Sequence, residues 1–224
     1  GKWHLGEHYP YVPHAQGFDE FTGFRTGHWT TYFDPPLERN GKPYQAKGYI
    51  ADVFTDEGIR FMERNRENPF FLYMAYNTPH TPYQVPDSFY EPYKNNAELP
   101  KETAIIYSMI RNLDGNIGRL LARLDELKLA HDTIVIFLTD NGPNGRRYNA
   151  GLRAAKGSVY EGGARAPFFI RWPGHIEAGK KIDTIAAHID VYPTVLDLCG
   201  VKAEQRLPLD ARSIAPLLRK DAAT

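Results

Sequence analysis

Apolar positions in the chain follow two patterns, a helical spacing and a continuous run. Between Thr103 and Lys128 they return every three or four residues, at Ile106, Met109, Ile110, Leu113, Ile117, Leu120, Leu121, Leu124 and Leu127. That spacing predicts an amphipathic helix with one core-facing stripe. In "IADVFTDEGIRFMERN", Ile50, Val53, Phe54 and Phe61 repeat at near-helical intervals and predict another helix. The continuous runs are "PFFLYMAY" from Pro69 to Tyr76, "DTIVIFLTDNG" from Asp132, and "PFFIRWPG" from Pro167. The first two predict strands buried on both faces and the third a short strand. "IDVYPTVLDLCGV" predicts a last helix, closed by Gly200 at its C-terminal cap.

Strands alternating with helices predict an α/β fold, a layered sheet with helices on both faces. No linker or repeat interrupts the chain, so one domain is expected over residues 1–224. Residues 7–49, rich in Gly, Pro, Tyr and His, predict a long ordered loop region rather than regular elements. In layered α/β sheets, ligands gather at the carboxyl ends of the strands. Loops leave the strands here after Tyr76, Thr139 and Trp172, and the first two carry the polar chemistry.

Composition narrows the partners. Lys plus Arg is 27 and Asp plus Glu is 27, so no net field recruits nucleic acid or an anionic membrane. No apolar run approaches the length of a membrane span. The single cysteine, Cys199, excludes an intrachain disulfide and, in "LDLCGV", reads as a small core residue.

Four places in the sequence carry candidate chemistry. In "GKWHLG", an extended backbone would put Lys2 and His4 on one face, a cation and an imidazole suited to an oxyanion. The same pattern also fits an edge strand with solvated polar residues. His80, in "NTPHTP", lies between prolines that restrict the backbone, and reads as a hydrogen-bond donor, a general acid or a surface histidine. Asp140 and Asn141, in "TDNG", close a strand with hard oxygen donors for Ca²⁺ or Mg²⁺, or simply make a turn. Two oxygens fall short of the roughly six to eight that calcium takes. Lys156 lies in "GLRAAKGSVYEGG", near Arg146, Arg147, Arg153 and Arg165. That segment reads as an anion pocket or a solvated basic loop.

Taken in order, "GKWHLG", "GFDEFTGF", "PFFLYMAYNTPHTPY", "YSMIRNLDGNIGRLLARLDEL", "TIVIFLTDNG", "LRAAKGSVYEGGARAPFFIRWPG" and "IDVYPTVLDLCGV" resemble the type I sulfatases, formylglycine-dependent sulfate ester hydrolases of the alkaline-phosphatase superfamily. The resemblance implies that Lys2, His4 and His80 line a sulfate site. It implies that Lys156 bridges the sulfate and the ester oxygen. It makes Asp140 and Asn141 ligands of a calcium ion, in preference to magnesium. The implied substrate is a sulfate monoester of a small molecule or glycan, with no nucleic acid partner, and the implied location is periplasmic or secreted.

Two family elements have no counterpart, an upstream acidic pair and the Cys/Ser-x-Pro-x-Arg segment that yields the formylglycine. Cys199 is followed by Gly-Val-Lys-Ala and does not fit. The chain is therefore expected to be a partial catalytic domain, incomplete at its N-terminus, lacking the C-terminal subdomain and inactive alone. The rival readings are a phosphatase or phosphodiesterase of the same superfamily, and a module that binds sulfated ligands without turnover. Asn141 after Asp140 argues against the first, because two-metal phosphatase relatives typically carry Asp-His there.

Overall fold

Asn40 and Gly41 both have positive φ, 49° and 80°, the backbone a two-residue hairpin turn demands. They join β2 (Pro36–Arg39) to β3 (Lys42–Gln45), and β1 (Thr22–Gly23) pairs with β2 on the other side. The ladder is antiparallel, with Thr22 opposite Arg39 and Leu37 opposite Tyr44. The region expected to be loop thus contains a small sheet. The Asn-Gly pair was its signal, but the short strands on either side lack clean alternation. The computed structural model describes residues 1–145, 147–204 and 207–219. It divides into two units, Gly1–Leu129 and Ala130–Thr224.

In the first unit, α1 (Ile50–Arg64) forms where predicted and buries Ile50, Ala51, Val53, Phe54, Gly58 and Met62. A short α2 (Asp87–Tyr90) precedes α3 (Lys101–Glu126), which packs against α1. The core joins Phe24, Tyr32, Leu37, Tyr49, Ile50, Phe54 and Met109. The buried face of α3 differs from the apolar stripe. Ile110 is 44% exposed, while Asn112 and Asn116 are buried. Asp52 of α1 accounts for this, since its Oδ1 accepts from Asn112 Nδ2 at 2.9 Å and Asn116 Nδ2 at 2.6 Å. A buried amide costs little when its hydrogen bonds are made.

Residues 69–76, expected to be a strand, form no regular element among the described residues. They are not buried on both faces, because Phe71 and Tyr73 are exposed while Phe70, Leu72 and Met74 are half-buried. The run therefore behaves as an alternating segment, with one side against α1 and the other open. Gly58 of α1 makes the close approach possible; a Cβ there would lie 2.8 Å from Met74 Sδ.

In the second unit, β4 (Val135–Leu138) pairs antiparallel with β5 (Phe168–Arg171), Ile136 facing Ile170. β4 is half-buried throughout and Phe169 of β5 is 65% exposed, so these runs too have solvent on one side. The described residues of this unit also form α4 (Glu161–Ala164), α5 (Val191–Leu198) and α6 (Ala215–Leu218). α5 ends as predicted. Gly200 has φ 65°, its N–H donates to Asp197 O, and the Val201 N–H donates to Leu196 O at 2.9 Å. This pair of bonds is the Schellman closure of a helix. Cys199 is the capping residue of that end and is exposed, not a core residue. Among the described residues, no helix is long and apolar enough to cross a membrane.

Candidate functional site

Residues 1–4 run between two neighbouring segments instead of forming an edge. The N–H of Lys2 donates to Ala75 O at 2.8 Å, and those of Trp3 and His4 donate to Phe24 O and Arg25 O at 2.9 and 3.0 Å. Trp3 anchors the segment: it is 7% exposed, and its indole N–H donates to Tyr11 O at 2.7 Å. Lys2 is half-buried and His4 exposed. The extended backbone stops at His4, whose φ is +54°. A non-glycine residue held in that left-handed region is uncommon and marks a position fixed by its surroundings. Gly27 is part of those surroundings. A Cβ at Gly27 would sit 2.1 Å from His4 Nε2, so the imidazole lies directly over the bare backbone there.

His80 stands in the loop that follows residues 69–76. Its N–H donates to Asn77 O at 2.9 Å, and its carbonyl accepts from the Tyr32 hydroxyl at 2.7 Å. Burial raises the Tyr32 pKa to about 12, so this phenol remains a donor at neutral pH. His80 Nδ1 lies 2.9 Å from Thr81 O. A carbonyl only accepts, so Nδ1 carries the proton and Nε2 is left to meet a ligand. The His28 ring packs edge-on against His80, with centroids 5.2 Å apart. Lys2, His4 and His80 thus belong to one unit, and the imidazoles of His4 and His80 rest on adjacent residues, Gly27 and His28.

In the second unit, β4 delivers Thr139, Asp140 and Asn141 to a bend in the chain. The Asn141 amide Nδ2 donates to Gly142 O at 3.0 Å, and Oδ1 is the oxygen acceptor of that side chain. Gly142 fuses this bend to the segment that follows. Its N–H donates to Gly163 O at 2.9 Å, and a Cβ on it would fall 1.9 Å from Gly162 O. The Lys156 N–H donates to Pro143 O at 3.0 Å, which fixes the lysine backbone beside the Asp140–Asn141 bend. Arg153, Lys156 and Arg165 are exposed in this segment. The Arg153 guanidinium lies 3.7 Å over the Tyr160 ring, and Arg165 pairs with Glu161 at 3.8 Å. Arg146 lies outside the described residues.

Two histidines escaped the sequence reading. His188 Nε2 donates to Thr139 O at 2.8 Å and steadies the strand end before Asp140. His28 packs on His80 across a sequence separation that no local pattern reveals. As a metal site, Asp140 and Asn141 supply one carboxylate and one amide oxygen, hard donors of the kind a divalent cation prefers. Among the described residues, no group of three or more His, Cys, Asp or Glu could hold a metal ion alone.

The Sulfatase family model matches residues 1–201. The chain is 32% identical over 214 residues to the uncharacterized sulfatase YdeN of Escherichia coli, covering 92% of this chain and 38% of that protein. It is 28% identical to N-acetylgalactosamine-6-sulfatase of Mus musculus, covering 98% of this chain and 46% of the other. Among solved structures, Ps i-CgsB in complex with k-i-k-neocarrahexaose superposes with a TM-score of 0.89 at 33% identity, covering 96% of this chain and 53% of that one. The chain thus spans about half the length, or less, of these relatives. Sulfatases are in general formylglycine-dependent and metal-binding. With the matching motifs in order and the α/β layout of the alkaline-phosphatase-like sulfatases, the chain belongs to the sulfatase family.

Proposed function

We propose that this chain carries the sulfate-binding and proton-donating part of a sulfuric ester hydrolase acting on a sulfated carbohydrate. The observation that supports it most is the imidazole pair His4 and His80 seated on Gly27 and His28, in the unit that also carries Lys2. The sulfated glycan is favoured over a simple aryl ester because Ps i-CgsB, at 33% identity, was solved with an oligosaccharide.

Lys2, His4 and Lys156 are assigned to the sulfuryl oxygens, where donors aimed at developing negative charge lower the barrier. His80, with Nδ1 held by Thr81, presents Nε2 towards the ester oxygen. Expelling an alkoxide is slow unless it is protonated, so the general acid is Lys156 as its ammonium, or His80 in the doubly protonated form in which Nε2 as well as Nδ1 carries a proton. Asp140 and Asn141 are assigned to calcium through their side-chain oxygens. In sulfatases of this type the cation neutralises sulfate charge, and a formylglycine hydrate supplies the nucleophile. This chain's residues bind and orient the ester and deliver the proton.

The test uses the complete natural protein that contains this chain, with sulfate and phosphate monoesters compared side by side. Sulfate ester turnover, lowered about 10²–10⁴-fold by His80→Ala or Lys156→Ala, is the expected result. Preference for phosphate esters would replace this reading with a phosphatase. Binding of sulfated ligands without turnover would replace it with a binding module.

A further inference from the structure

The loop from Arg25 to Trp29 is pinned at both ends. Arg25 donates to Glu38 Oε1 at 2.7 Å and to Glu7 O at 3.0 Å. Trp29 stacks on Phe24, with ring centroids 4.9 Å apart and planes within 14°. Between these anchors the Thr26 hydroxyl donates to His28 O at 2.7 Å. His28 itself is exposed, yet its ring is held against His80 at 73°. An exposed side chain on an anchored backbone, braced by a second ring, has lost much of its rotamer freedom before any ligand arrives. Preorganisation of that kind lowers the cost of binding.

Position says which part of a ligand His28 meets. His4 lies over Gly27, one residue before it, and His80 packs on its ring. His80 is half-buried and His28 more exposed, so His28 is the outer member of the imidazole pair. If the inner groups take the sulfate, the outer one faces the alcohol that carries it. Its ring nitrogens suit a hydroxyl as either donor or acceptor.

We propose that His28 is a specificity-determining residue that hydrogen-bonds a sugar hydroxyl flanking the sulfate ester. The inference rests on the sulfate ester reading given above. Its test measures kcat and KM of the complete protein for 4-nitrophenyl sulfate and for a panel of sulfated sugars. The panel includes glucosamine 6-O-sulfate and neocarrahexaose. His28→Phe keeps a ring against His80 but removes both nitrogens; His28→Ala removes the ring as well.

With either variant, the ratio of kcat/KM for the best sugar to that for 4-nitrophenyl sulfate is expected to fall about tenfold, the loss of one hydrogen bond. The fall is expected mainly in KM for the sugar. If His28→Phe keeps the wild-type ratio, His28 only packs and the inference is overturned while the sulfatase reading stands. A wild type that cleaves the aryl ester and no sugar also overturns it. A wild type that cleaves neither sulfate ester overturns both.

Discussion

Gly27 and Gly142 both lack room for a Cβ, but what stands in the way differs. At Gly27 the obstacle is the tip of the His4 imidazole, 2.1 Å from the added atom, and a ring can swing aside. Gly27→Ala should therefore shift folding stability by less than about 1 kcal/mol. On the proposed function it should lower kcat/KM by about tenfold or more, because the displaced imidazole leaves its position. At Gly142 the obstacle is the Gly162 carbonyl oxygen, 1.9 Å away, and backbone has nowhere to go. Gly142→Ala should cost about 3 kcal/mol in a urea melt, with loss of ordered structure around Asn141 and Lys156. Asp190 is buried beside two backbone donors, Ala187 N–H at 2.8 Å and Arg212 N–H at 2.9 Å. The Arg212 N–H first, then that of Ala187, holds its carboxyl below the usual range. A lowered folded pKa means stability that is present above the unfolded value of about 3.9 and lost as pH falls through the folded one. Urea midpoints of the wild type should thus drop on the acid side below about pH 4, and Asp190→Asn should flatten that drop.

At the scale of elements, α1 and α3 show how a polar group reorients an apolar stripe. Three- and four-residue spacing predicts that Ile110 is inside, yet the helix turns Asn112 and Asn116 inward to meet Asp52. Asp52→Ala removes the acceptor of the buried Asn112 amide, while Asn116 Nδ2 keeps Asn112 O and Oδ1, and should cost about 2 kcal/mol. Ile110→Ala, at a position 44% exposed, should cost less than about 1 kcal/mol in the same denaturation experiment. The reverse order would show that the apolar stripe governs the packing. Helices α1, α3 and α5 were legible, α1 to within a residue or two, because a local period of 3.6 sets them, whereas the four-residue α2, α4 and α6 are too short to show a period. The burial of the strands was not. A continuous apolar run such as residues 69–76 looks the same whether one face or both are covered, and only the neighbours decide that.

Over the whole molecule, positive and negative side chains balance at 27 each. On the proposed function, affinity for an anion comes from local groups, Lys2, His4, His80 and Lys156, instead of a long-range field. The chain should leave duplex DNA unshifted in a gel assay at about 0.15 M salt, since nonspecific DNA binding needs a surplus of cations along one surface. A salt-sensitive shift would mean that the basic segment near Lys156 acts as an extended patch.

The sequence by itself determined α1, α3 and α5, the Gly200 closure of α5 and the ordered motifs that mark the sulfatase family, because these depend on residues a few positions apart. It also identified Lys2, His4, His80, Asp140, Asn141 and Lys156 as candidates, through spacing and resemblance. Tertiary structure alone decided that residues 1–4 lie between two segments, that His4 turns left-handed over Gly27, and that His28 braces His80. It alone decided that glycine contacts weld the Asp140–Asn141 bend to the Lys156 segment. Each of these is a contact between residues distant in sequence, set by which surfaces pack together, and no local period encodes that.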